Sequence, residues 1–162
     1  MKTKRIQATA IASRPWPFSS QDTPPLAWWR TLPTDKLRDA EKLLLQVTLG
    51  RIEVLRGGPE LRAALRGDAA AAIASALSVT PILDFSLEVD IAMTALLRCA
   101  AEGDSAAALV LGNVLGRTNL GHAYATELSA SWFVQHMDHS PHRRGFSTEE
   151  AALLTELRDR YS

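Results

Sequence analysis

The four histidines are the residues in this chain best suited to metal chemistry. His136, His139 and His142 come at three-residue spacing beside Asp138, with His122 upstream. Imidazoles at i and i+3 on a helix end can share one ion, and a third from the following chain can complete the set. Two features weigh against that chemistry. No His-Glu-x-x-His motif supplies a general base. A helix ending near Met137 also leaves His139 and His142 in polar chain beside Pro141, Arg143 and Arg144. Histidines at a helix C-terminus have a simpler cause, since they favour its negative end. The reading is a solvated helix terminus without a metal or cofactor. His136, one turn past Trp132, should pack beside that ring or cap the helix.

Other reactive types are scattered. Glu53, Asp84, Glu88 and Asp90 are acids that no histidine or nucleophile partners by spacing, so no catalytic residue is assigned. Cys99 is the only cysteine, which excludes an internal disulfide. Among Leu97, Ala100 and Ala101 it reads as a small buried apolar residue rather than a reactive thiol. Asp90, Thr94, Arg98 and Glu102, each four residues from the last, form a polar row on one helix face. Such rows are usually solvated and hold local ion pairs worth a few tenths of a kcal/mol. In a stack of helices the same row lies on a continuous surface where partner proteins bind. That makes these four residues, with Trp16, Trp28 and Trp29, the candidates for partner contact.

Composition narrows the partners. Lys+Arg and Asp+Glu balance at 18 each, so no global field draws the chain to nucleic acid or anionic lipid. Lys2, Lys4, Arg5 and Arg14 make the N-terminal arm locally basic. A DNA-reading helix is nevertheless hard to find, because neither Asp68–Leu77 nor Asp104–Leu115 contains a lysine or arginine. No apolar run approaches the roughly 20 residues that span a bilayer. The opening stretch is apolar only briefly, interrupted by Gln7 and Thr9, so secretion is disfavoured and a cytoplasmic location is expected.

The elements follow from punctuation. Residues 1–24 form a Pro- and Trp-rich extended arm, since five of the eight prolines fall between Pro15 and Pro33 and block continuous helix. Its rings either strap across the chain's own helices or dock on a second protomer or partner. A single helical domain, 25–162, comes next. After a short helix at Pro25–Leu32, Thr34 caps a long helix with Leu37, Ala40, Leu43, Leu44, Val47, Ile52, Val54 and Leu55 on its apolar face. Gly50 weakens its middle and Gly57-Gly58-Pro59 ends it. Helices then run over Glu60–Arg66, Asp68–Leu77, Asp84 or Ser86 to Glu102, Asp104–Leu115 and Ala123–Met137. The helix to Glu102 is apolar around so much of its circumference that it must be packed on two sides. Ser147 and Glu150 make a capping box that opens a last helix to Tyr161.

One pattern occurs twice: L61-R-A-A-L-R-G-D-A-A-A-A72 and L97-R-C-A-A-E-G-D-S-A-A-A108. The Gly-Asp steps are 36 residues apart, the spacing of stacked helical hairpins, and divide the duplication into 61–96 and 97–137. Ala72 and Ala76 fall opposite Ala108 and Gly112, small residues that let helix axes approach. A100-A-E-G-D-S-A-A-A-L-V-L-G112 with E127-L-S-A-S-W-F-V-Q135 resembles a Sel1-like unit, a relative of tetratricopeptide repeats. The likeness covers 97–137 and, in part, 61–101, where the Leu-Gly pair is missing and Leu96 stands in place of Trp132. It implies a scaffold that binds other proteins and carries over no catalytic residues. The expected fold is all-α, antiparallel hairpins in a short repeat-like stack or an irregular bundle. The expected function is a non-enzymatic protein-interaction module, possible as a homodimer. A helical DNA-associated regulator and a small metal- or ligand-binding helical protein are the alternatives.

Overall fold

The computed structural model describes residues 15–53, 58–140 and 146–162. Lys2, Lys4, Arg5, Arg14, Val54, Leu55, Gly57, His142, Arg143 and Arg144 lie outside them. The fold is all-α, with no strand among the described residues. Two 3-10 helices, η1 (Pro25–Arg30) and η2 (Thr34–Lys36), precede seven α-helices among the described residues. These are α1 (Asp39–Gly50), α2 (Gly58–Leu65), α3 (Ala69–Ser78), α4 (Leu87–Ala101), α5 (Ser105–Arg117), α6 (Ala125–His139) and α7 (Thr148–Arg160).

Both Gly-Asp steps are helix-to-helix junctions with the same atomic design. Gly67 and Gly103 take φ of 100° and 103°, a region that side chains resist and glycine occupies freely. Gly67 N–H donates to Ala64 O at 3.0 Å, and Asp68 N–H to Ala63 O at 3.1 Å. The counterparts, Gly103 to Ala100 O and Asp104 to Cys99 O, are both 3.1 Å. This is the Schellman arrangement that satisfies the last carbonyls of a helix. The same aspartates then start the next helix, accepting from Ala71 N at 2.9 Å and Ala107 N at 2.8 Å. One residue closes one helix and opens the next.

Helix α4 is the hub. It touches α1, α2, α3, α5 and η1, and ten of its residues, Val89 to Ala101, are buried. Ser86 caps it by accepting from Val89 N at 3.2 Å. Helices α5 and α6 share the most extensive contact in the molecule. Small residues make that possible: a Cβ on Gly112 would lie 3.3 Å from the Phe133 ring, and one on Gly116 3.2 Å from Ser129 Oγ. Ser129 Oγ donates to Gly112 O at 2.7 Å across the same crossing. Ala72, Ala76 and Ala108 are fully buried as well.

The first long helix differs from its expectation. Thr34 makes no side-chain cap, and the chain leaves helical geometry at Leu37. Helix α1 starts only at Asp39, where Arg38 N–H donates to Glu41 Oε1 at 3.3 Å. It ends at Gly50, the residue expected to weaken its middle. Its buried residues are Leu45 and Leu49, whereas Leu43, Leu44 and Val47 are exposed. Three consecutive leucines offer two overlapping stripes, and packing against α4 selects the other one.

Candidate functional site

The polar row of α4 is covered from Asp90 to Arg98 and exposed at Glu102. Asp90 Oδ1 accepts from Trp29 Nε1 at 2.8 Å and from Arg30 Nε at 3.3 Å. Thr94 is fully buried and its hydroxyl lies 3.4 Å from Leu26 O. Arg98 Nη1 donates to Leu65 O at 3.2 Å, and its Nε pairs with Glu102 at 3.3 Å. Glu102 also accepts from Gln46 Nε2 at 2.9 Å. The row therefore fastens η1, the end of α2 and α1 to the hub. Sequence periodicity reveals the row but not the strap laid over it from some sixty residues upstream.

The described part of the aromatic arm is docked on its own helices. Trp28 and Trp29 are 0% exposed, each such burial being worth roughly 2–3 kcal/mol. Trp29 meets Phe85 edge-on at 5.8 Å, and the Arg30 guanidinium sits 4.6 Å from the Phe85 centroid. Trp16 Nε1 donates to Thr31 O at 2.7 Å, and its ring meets Tyr124 at 5.1 Å. Phe18 packs on His122 at 4.9 Å. His122 accepts at Nδ1 from Tyr124 N–H (3.1 Å), so its Nε2 carries the proton and donates to Arg30 O (2.7 Å). That ring staples the loop after α5 to the strap, using both nitrogens.

The remaining described histidines are apart in role. Helix α6 runs two residues beyond the expected Met137, so His139 is helical, exposed and bonded to Gln135 O at 3.0 Å. Among the described residues no three His, Cys, Asp or Glu side chains form a metal-holding group. His136 is buried, and its ring bonds outside its own helix. Its Nδ1 donates to Ser105 O at 2.8 Å and lies 3.3 Å from Glu150 Oε2, and its ring stacks near Phe146 at 5.8 Å. Carbonyl and carboxylate share one nitrogen, and Ser105 takes part with its carbonyl. The trio therefore lacks the nucleophile–base–orienter order of a hydrolase relay.

Cys99 is buried beside the first junction, its thiol 3.7 Å from Gly67 O. Burial pushes the thiol from its usual 9.0 up to about 11, with Glu102 and Asp104 adding to the shift and Arg98 opposing it.

The groove with room for a ligand was not foreseen in the sequence. A cavity of about 580 Å³ opens between α3 and α7, above the first turn of α5. Ala70, Ile73, Ala74 and Leu77 form one wall, an i, i+3, i+4, i+7 stripe. Glu149, Ala152, Leu153 and Glu156 form the other at the same spacing, with Glu150 beside them. A smaller cleft of about 320 Å³ on another side of α7 is lined by Arg117, Arg158, Phe133 and Phe146. The signal in the sequence was the Ala-rich α3, whose small side chains leave space that larger ones would fill.

The chain has no match among protein-family models, curated proteins or solved structures.

Proposed function

We propose that the chain is a non-enzymatic protein-interaction module that binds a partner in the α3–α7 groove. The observation that carries this reading is the pair of helical stripes lining one open, largely apolar groove. Grooves of this kind accept an amphipathic helix through anchors at i, i+3, i+4 and i+7. The Sel1-like likeness over 97–137 implies the same class of function. The polar row, which the sequence offered as the contact surface, is engaged in holding the fold, so the groove takes its place.

A photo-crosslinking residue installed at Ala152, with Ala130 on α6 as a control position, tests the reading in the cells that make the protein. The expected result is an adduct of discrete mass from Ala152 that Ala74→Trp, which fills the groove, abolishes. Adducts formed equally from Ala130, or none from Ala152, would sink it.

A further inference from the structure

We propose that the outer face of α1 pairs two copies of the chain, antiparallel about a twofold axis. Helix α1 is apolar on both sides. Leu45 and Leu49 are buried against the body, while Ala40, Leu43, Leu44 and Val47 recur at i, i+3, i+4 and i+7 on the opposite side. That second stripe is open. Leu43 is 61% exposed, Leu44 45% and Val47 38%, and Ala40 and Gly50 are exposed with them. A Cβ on Gly50 would meet nothing within 4 Å. One apolar stripe is enough to hold a helix in its fold, so three large aliphatic side chains together on the other side mark an interaction surface.

The charges beside the stripe say what covers it. Asp39 and Glu41 stand at the start of α1 and Arg51 at its end. The stripe therefore has opposite charges at its two ends, which a second copy running the other way matches. With the axis midway between Leu44 and Val47, Leu44 of one copy lies on Val47 of the other. Arg51 then lies on Ala40, between Asp39 and Glu41, and Glu53 is about level with Arg38. Lys42 takes no part, because it shares the inner side with Leu45 and Leu49 at i, i+3 and i+7. Among the described residues neither Asp39 nor Arg51 has an ion-pair partner of its own. Twelve residues of helix give a contact about 18 Å long. That is less than a standard interface, so the dimer is a weak one, with Kd of roughly tens of micromolar. Helix α1 lines no part of the α3–α7 groove, so pairing leaves both grooves open and does not depend on what they bind.

Sedimentation velocity of the full chain, from about 1 to about 300 µM, tests the pairing. A monomer is expected at the low end and a dimer at the high end. Leu44→Glu should leave a monomer throughout, with melting of the dilute protein unchanged. Leu83→Glu, at a 92% exposed leucine outside α1, should leave the dimer intact. Arg51→Glu and Asp39→Lys should each weaken association about tenfold, and combining them should recover most of the loss. An equimolar mixture of Leu44→Cys and Val47→Cys, mildly oxidised, should form a disulfide-linked dimer faster than either variant alone, since the native Cys99 is buried. A monomer at every concentration overturns the proposal, and one that dimerises only after residues 1–14 are deleted gives the stripe to the chain's own start instead. A dimer indifferent to Leu44→Glu lies on another face, and faster crosslinking of Leu44→Cys alone makes the pair parallel; either result overturns it as well. Crosslinks from Ala152 should survive every one of these changes, so the groove reading stands or falls separately.

Discussion

The two Gly-Asp junctions share their backbone and differ only in what lies on top. Over Gly67 sits the Arg98 side chain, whose Nη2 would be 3.0 Å from an added Cβ and which is fixed by Leu65 O and Glu102. Over Gly103 sits His139, 3.2 Å from an added Cβ but exposed at a helix end and tied only to its own turn. The aromatic cover of the two units differs in the same sense. The second carries its own Trp132, fully buried within α6. The first has Leu96 there and takes Trp28 and Trp29 from the strap. Local sequence thus dictates the joint, whereas distant chain decides how tightly each joint is clamped.

Removing the borrowed aromatic breaks the comparison most severely. Trp29→Ala should cost about 3–5 kcal/mol in urea unfolding, since it empties a core site and strips Asp90 of a donor. Hydrogen exchange should place the loosening in α3 and α4, while Trp132→Ala loosens α5 and α6. Loosening of all four helices by either change would show that the units do not respond separately. Next come the joints. Gly67→Ala should cost about 2 kcal/mol and Gly103→Ala about 1 kcal/mol, because His139 can move aside and Arg98 is held. The caps serve as the internal control: Asp68→Ala and Asp104→Ala should each cost about 1 kcal/mol, equal within error. Unequal caps or equal glycines would contradict a joint that is local and a cover that is not.

The smallest effect is at Cys99, whose thiol lies against the first joint while its carbonyl helps to close the second. Its folded pKa of about 11 exceeds the usual 9.0, so the folded state holds the proton more firmly than the unfolded chain. That contribution is complete below about pH 9 and is lost as pH rises through about 11. Cys99→Ala should flatten the alkaline loss of stability, and the native thiol should resist alkylation at pH 8. Rapid alkylation there would mean that the joint opens.

What could be read from the residues was mostly local. The Gly-Asp joints, the Ser147–Glu150 capping box and the two-sided burial of α4 are fixed by neighbours a few positions away. The bounds of α1 were misread because Pro33-Thr34 starts a 3-10 turn instead, and its buried stripe was misread because the Leu43–Leu45 run fits two faces. The groove was invisible for a different reason. Ala74 and Leu153 line opposite walls of it only once α5 has placed both helices, and the Glu150–His136 contact depends on the same assembly.

The bond between Trp29 and Asp90 spans 61 positions of chain, and that separation has a temporal meaning. The strap is made first but its docking site is made later. At about 5–20 residues per second, roughly 3–12 s of synthesis separate the tryptophans from the helix that shelters them. During that interval Trp28 and Trp29 are large apolar rings without a core. The proline-rich stretch that carries them resists regular pairing with other chains, so the strap that finishes the fold is also protected while it waits.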